Sequence, residues 1–217
     1  MEPVQVVPLL PLQVVLFPQT RLPLHIFEPR YQTLVRDCLA ASSPFGVVAI
    51  RQGAETDADP TWHSVGTLAA IERVVRLPRG RLNLVVVGGE RFRMRRLVAG
   101  RPYLQAEVEG WADLDSPTTP LFTAARLRAA YDRYRASLLR MGVRIPEFGE
   151  LPRDPTALAW AVGGHLVVEL HSKQRLLEER SQVTRIKTEL ALLRREATLV
   201  DLQLANRLVR APTYSLN

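Results

Sequence analysis

The spacing of apolar residues changes character about halfway along the chain. In the first half they come in short runs or at alternate positions, the period of a half-buried strand. In the second half they step by three and four, the period of a helix facing a core. Residues 4–16 read as extended, and Pro8 and Pro11 confine much of that stretch to an edge strand or a connection, because proline cannot donate to a central ladder. Residues 45–50 predict a short apolar strand. Residues 52–60 are polar and read as a mobile loop closed by Trp62 and His63. Residues 65–77 and 81–87 predict a hairpin around Pro78-Arg79-Gly80. In its return strand Leu82, Leu84 and Val86 alternate with Asn83, Val85 and Val87, which suits burial on both faces. Gly88-Gly89 predicts a bend or bulge, since glycine allows unusual backbone angles there. Arg91, Arg93 and Arg95 then alternate with Phe92 and Met94, giving one basic and one apolar face. Pro102 interrupts, and a further strand follows over residues 103–108.

One helix is set into this β-rich half. Glu28-Pro29 suits a helix start, because the missing proline N–H needs no partner in the first turn and a carboxylate favours the positive end of the helix dipole. Tyr31, Leu34, Val35, Cys38 and Leu39 then recur on one face. Residues 113–119 read as a linker. Beyond it Thr119-Pro120 starts a helix striped by Ala124, Leu127, Tyr131, Tyr134, Leu138 and Met141, and Gly142 ends it. Asp154-Pro155 starts a second, weakened at Gly163-Gly164. Ser172 caps a short third over residues 173–179. Ser181 caps a long fourth whose stripe is Val183, Ile186, Leu190, Leu193, Ala197 and Val200, with Arg185, Lys187, Glu189, Arg194, Arg195 and Glu196 on its other faces. The expected fold class is therefore α+β: a β-rich pseudo-barrel with one helix in residues 1–117, then an α-helical bundle in residues 118–217.

At 217 residues the chain is long enough for a sizeable core, burying about 70% of its unfolded surface. It has no apolar run of the roughly 18 residues that a membrane helix needs. The start, Met1-Glu2-Pro3-Val4, lacks the basic region of a signal peptide, so a cytoplasmic location is expected. Cys38 is alone, which excludes an internal disulfide and a cysteine-rich metal site. The net charge of +7 is uneven: residues 1–117 carry 13 Arg and 12 acids, residues 118–217 carry 16 Lys or Arg and 10 acids. The second half could therefore face an acidic partner.

Sites for chemistry are missing. Val87-Gly88-Gly89-Glu90 lacks the lysine of a phosphate-binding loop. His25, His63, His165 and His171 have no metal-binding spacing. Ser172 and Lys173 are neighbours, and adjacent helical residues point about 100° apart, so they make no catalytic dyad. No cofactor, no metal and no enzyme activity is expected.

Several stretches carry a family resemblance. These are Pro8-Leu9-Leu10-Pro11-Leu12 with Val15-Leu16-Phe17-Pro18, the run from Leu24 to Tyr31, Phe45-Gly46-Val47-Val48, Val65-Gly66-Thr67-Leu68-Ala69 and Gly88-Gly89-Glu90-Arg91-Phe92. A second block is Asp154-Pro155, Leu158-Ala159-Trp160, Lys173-Gln174, Leu176-Leu177-Glu178 and Leu192-Leu193-Arg194-Arg195-Glu196. In order and spacing they resemble the N-terminal substrate-binding domain of Lon-type ATP-dependent proteases. The resemblance implies a PUA-like β fold. It also implies a free-standing substrate-recognition domain, since a full protease would continue past Asn217 into ATPase and serine-lysine protease domains.

A domain that selects unfolded or damaged chains needs exposed apolar surface of tolerant shape. The peptide-binding candidates are Phe17, Leu24, Ile26, Phe27, Trp62 and Trp111. The partners would be polypeptide substrates, or a protease or chaperone that this chain serves as adaptor. A second reading uses the PUA-like fold for RNA, with Arg91, Arg93 and Arg95 lining a sheet face. A third makes the bundle a docking surface for an acidic partner, with Arg126 and Arg133 among the contacts. The oligomeric state is left open.

Overall fold

The fold is known from a computed structural model that describes residues 5–53, 61–114, 121–143 and 150–210. Strands β1 (Gln5–Leu12), β2 (Arg21–Ile26), β3 (Phe45–Gln52), β4 (Thr61–Arg76), β5 (Leu82–Val98) and β6 (Gln105–Gly110) surround helix α1 (Pro29–Ala41) in sequence. Helices α2 (Leu121–Arg140), α3 (Pro155–His165), α4 (Leu170–Glu178) and α5 (Gln182–Arg210) follow. The strands lie in the order β2-β5-β4-β3-β1-β6, and β6 pairs back onto β5. That last pairing closes five of the six strands into a barrel, with β2 added outside on β5. This is the α+β, PUA-like pseudo-barrel followed by helices that the sequence predicts. The loop at residues 54–60, most of the expected linker and its Thr119-Pro120 cap lie outside the described residues.

One strand departs from expectation. β1 is not at an edge but sits between β3 and β6. Its partner changes midway: residues 5–8 run antiparallel to β6 and residues 9–12 run parallel to β3. Pro8 and Pro11 thus each lie where only one side of the strand carries a ladder, so a missing N–H breaks nothing. The hairpin is as predicted, with β4 and β5 joined by a 3-10 turn at Pro78–Gly80. Gly88-Gly89 coincides with a register shift in the β4–β5 pairing. Gly88 is required by close approach: a Cβ there would stand 2.1 Å from the carbonyl oxygen of Phe17. The two backbones are tied by bonds from Gln19 N–H to the Gly88 carbonyl and from Gly88 N–H to the Thr20 carbonyl.

α1 begins at Pro29 as expected and buries Tyr31, Leu34, Val35 and Cys38, while Leu39 stays at the surface. Glu28 makes no cap bond; its carboxylate pairs with Arg30 at 2.8 Å. α2 buries Ala124, Leu127, Tyr131, Tyr134 and Leu138 of its predicted stripe, while Met141 lies just past the helix and is half-buried, and Gly142 follows at φ 80°. Asp154 caps α3 by accepting from the Ala157 N–H at 2.7 Å. α3 runs on through Gly163-Gly164, because those glycines let it lie against the Phe17 ring: a Cβ on Gly163 would sit 3.1 Å from it. α4 starts earlier than predicted, at Leu170 with Glu169 before it, so Ser172 lies inside the helix. Ser181 does cap α5, its hydroxyl accepting from the Thr184 N–H at 3.3 Å.

The largest core cluster joins the two halves. Val15, Phe17, Ala49 and Val65 pack with Leu127, Tyr134, Trp160, Ile186 and Leu193 of the helices. Phe17 is fully buried, its ring tilted against Trp160 with centroids 6.1 Å apart. Its place is in this shared core. We expect Phe17→Ala to lower unfolding free energy by about 3–5 kcal/mol in a denaturant titration, the usual cost of an emptied aromatic site.

Candidate functional site

Three consecutive carbonyls at the C-terminal end of α4 anchor the junction between barrel and helices. Helix ends leave such carbonyls without intrahelical partners, and the helix dipole makes them attractive to cations. Arg91 of β5 donates to the Leu177 and Glu179 carbonyls at 2.7 and 2.8 Å. Trp111 donates through Nε1 to the Glu178 carbonyl at 3.0 Å. Arg185 of α5 donates to the Glu179 carbonyl at 2.9 Å. Both arginines then share one carboxylate. Arg185 grips Asp113 through two bonds of 3.0 and 2.7 Å, and Arg91 pairs with the same side chain.

The guanidinium groups also stack on Trp160, Arg185 at 3.6 Å and Arg91 at 4.9 Å from the ring centre. Only arginine can do this, since a lysine has neither the planar fork nor the stacking face. The side chains of Arg91 and Arg185 are 3% and 0% exposed. Burial pulls the Arg91 guanidinium down to about 10, with Arg185 adding repulsion and Asp113 opposing. It therefore stays charged at neutral pH.

One turn after Arg185, Glu189 is fully buried and neither of its oxygens finds a hydrogen-bond donor among the described residues. Burial pushes this carboxyl well above its ordinary 4.5, and the nearby Arg185 opposes the shift without reversing it. Its buried surroundings, without a donor among the described residues, thus favour the neutral acid over the carboxylate.

Above this floor lies an open cleft of about 800 Å³. Its walls are the Gly88-Gly89-Glu90 bulge, the end of β6 with Trp111, and Thr156, Trp160 and Gln182 from the helices. Trp111 is held between Arg93 and Arg180, at 5.3 and 4.5 Å from the ring centre. Gln182 donates to the Thr156 hydroxyl at 2.9 Å, tying α5 to α3 at the rim.

The predicted site residues do not form one surface. Of the apolar candidates only Trp111 lines the cleft. Phe17 and Ile26 are in the core. Trp62 is half-buried and packs against the barrel interior beside Phe92. Leu24 is half-buried on β2, and Phe27, just beyond β2, is 56% exposed and stacked on His25. The basic candidates separate as well. Arg91 leaves the expected solvated face because the helices pack over it, whereas Arg93 and Arg95 further along β5 stay exposed. Arg95 pairs with Glu109 and Arg96 with Glu107, so that stretch is neutralised. Arg126 and Arg133 are exposed on α2, Arg133 beside a shallow depression it shares with Arg194.

The sequence reading missed Asp113, Trp160, Arg185 and Glu189. Arg185 and Glu189 were placed on an outer face of α5, but both are buried and Val183 of the predicted stripe is 39% exposed. A signal was present in α3. Residues 157–163 are apolar or small on every side, and a helix of that kind is surrounded, so a neighbour must bring even its charged residues inward. Among the described residues no three His, Cys, Asp or Glu side chains cluster to hold a metal, and no helix is long and apolar enough to cross a membrane.

Barrel, helices and junction together define an α+β domain in which a closed sheet is joined to a helical layer. Residues 6–195 match the family described as the ATP-dependent protease La (LON) substrate-binding domain, and the chain belongs to that family. It is 30% identical to Lon protease 1 of Thermus thermophilus over 201 residues, covering 90% of this chain and 25% of that protein. It is 29% identical to Lon protease 2 of Syntrophobacter fumaroxidans, covering 78% of this chain and 22% of that protein. The chain thus spans about a quarter of the length of these relatives. A Lon N-terminal domain protein from Xanthomonas campestris superposes with a TM-score of 0.63 at 28% identity, covering 86% of this chain and 98% of that one. The N-terminal domain of a Mycobacterium avium complex Lon protease shares the fold, with a TM-score of 0.65 at 20% identity.

Two substitutions test the junction. Asp113→Asn leaves two buried cations facing a neutral amide and should cost about 3–5 kcal/mol, read by denaturant unfolding. Glu189→Gln should do the opposite. The raised carboxyl value gives stability that is fully present below the unfolded value near 4.5 and lost as pH rises through the folded value. The glutamine variant is neutral throughout, so its Tm should match the native protein near pH 4.5 and exceed it at neutral pH.

Proposed function

We propose that this chain is a non-enzymatic module that binds polypeptide segments, unfolded or damaged chains among them, in the cleft between barrel and helices. The observation that carries the reading is the cleft itself. It has the size of a ligand site, tryptophans on two walls and a floor locked by buried ion pairs, so it is formed before any ligand arrives. Membership of a Lon substrate-binding family supports polypeptide as the ligand class. A role as adaptor in proteolysis or protein quality control, in the cytoplasm, goes with this reading. We rank RNA second, because Arg91 is buried and Arg95 and Arg96 already face carboxylates, which removes most of the free charge that a phosphate backbone would need on that sheet face.

The test is fluorescence anisotropy of a labelled, permanently unfolded polypeptide. Binding should saturate and persist at high salt. Gly89 lines the cleft, and a Cβ added there meets nothing closer than the Leu68 carbonyl oxygen at 3.5 Å. Gly89→Phe should therefore fill the cleft without strain, weakening binding at least about tenfold while Tm holds, a loss of roughly 1.4 kcal/mol. Unchanged affinity in that variant, or binding that collapses with salt, would sink the cleft reading.

A further inference from the structure

The barrel half is nearly neutral in sum, but folding sorts its charges unevenly. Arg30, Arg95, Arg96 and Arg101 each face a carboxylate. The β4–β5 hairpin does not follow this pattern. Arg73, Arg76, Arg79 and Arg81 are all exposed within nine residues around its tip. Arg76, Arg79 and Arg81 form no ion pair among the described residues. The only carboxylate close in sequence, Glu72, is held by Arg21 through bonds of 2.8 and 2.7 Å. Four exposed cations thus fall within nine residues of the hairpin, and the acid next to them in sequence is already paired.

The tip is also fixed. The Leu77 N–H donates to the Arg81 carbonyl at 2.8 Å across the turn, and Arg79 takes the left-handed backbone at φ 62°. Gly80 lies against α1, where an added Cβ would be 2.9 Å from the Gln32 side chain. Beside the arginines the outer face of β2, β5 and β4 carries a shallow depression of about 440 Å³ walled by Pro23, Leu24, Val75 and Val85. Val75 is exposed, and so is the Phe27 ring that stacks on His25 near this face.

We propose that this hairpin arm is a docking surface for an acidic polypeptide segment, one that sets carboxylates against Arg76, Arg79 and Arg81 and an apolar side chain into the depression. Charge complementarity selects the acid, and rigid display lowers the ordering cost of binding. The apolar wall suits a peptide side chain and offers nothing to a sugar-phosphate backbone. The surface lies apart from the cleft and shares no lining residue with it.

The experiment uses the full chain and a fluorescein-labelled peptide of repeated Glu and Leu, with a Lys and Leu peptide and a single-stranded RNA as comparisons. The acidic peptide should bind more tightly than the basic peptide at low salt, and that advantage should fall as salt rises. Arg76→Glu with Arg79→Glu should weaken binding at least tenfold. The charge-matched pair Lys187→Glu with Arg194→Glu, both exposed on α5, should leave it within twofold. Equal losses from both charge-reversed pairs would reduce the effect to overall charge and overturn the proposal. RNA binding tighter than the acidic peptide, and lost in Arg76→Glu with Arg79→Glu, would reassign the arm to nucleic acid. No acidic-peptide binding at millimolar concentration would also reject it.

Discussion

Asp113 is the residue on which the rest of this structure depends. It stands just after the last barrel strand and neutralises two arginines that arrive from opposite sides, Arg91 from the barrel and Arg185 from the last helix. Neither cation could be buried alone, since an isolated charge in a protein interior costs several kcal/mol. With Asp113 between them, the face of Trp160 beneath and the α4 carbonyls in front, each guanidinium makes three hydrogen bonds. The Arg185 Nε is buried without a partner among the described residues. The arrangement fixes how the helices sit on the barrel, because hydrogen bonds of this kind tolerate little displacement.

From that constraint the cleft follows. Its floor cannot relax, and its walls belong to elements that the node already holds: the β5 bulge next to Arg91, the chain leading into Asp113, and α3 with Trp160. Glycine makes the close packing around it feasible. Gly88 admits the Phe17 backbone and Gly163 admits the Phe17 ring, so the same aromatic residue joins barrel and helices from both directions. The hydrophobic and ionic parts of the junction are therefore not alternatives. The apolar cluster supplies the larger share of favourable burial, and the ionic node supplies the geometry.

Charge in this protein falls into three populations. Buried arginines build the junction, arginines of β5 paired with carboxylates of β6 cover the barrel, and arginines with no ion pair among the described residues crown the hairpin. A net count treats them alike, although a buried pair, a screened surface pair and a free exposed cation differ widely in what they can do.

Much of the fold was legible in the sequence because periodicity is local. The alternation of β5, the turn at Pro78-Arg79-Gly80, the bulge at Gly88-Gly89, the proline start of α1 and the stripe of α2 are each set by a residue and its near neighbours. The family resemblance is legible for the same reason, since it rests on short runs in a fixed order. The position of β1 inside the sheet and the identity of the junction were decided only by tertiary structure. Arg91, Arg93 and Arg95 share one face of one strand, yet the helices cover the first and leave the others in water. Asp113 lies 22 residues from Arg91 and 72 from Arg185, so no local pattern links them. Pattern can show which side a residue is on. Whether that side meets solvent, a carboxylate or a tryptophan depends on what the rest of the chain brings against it.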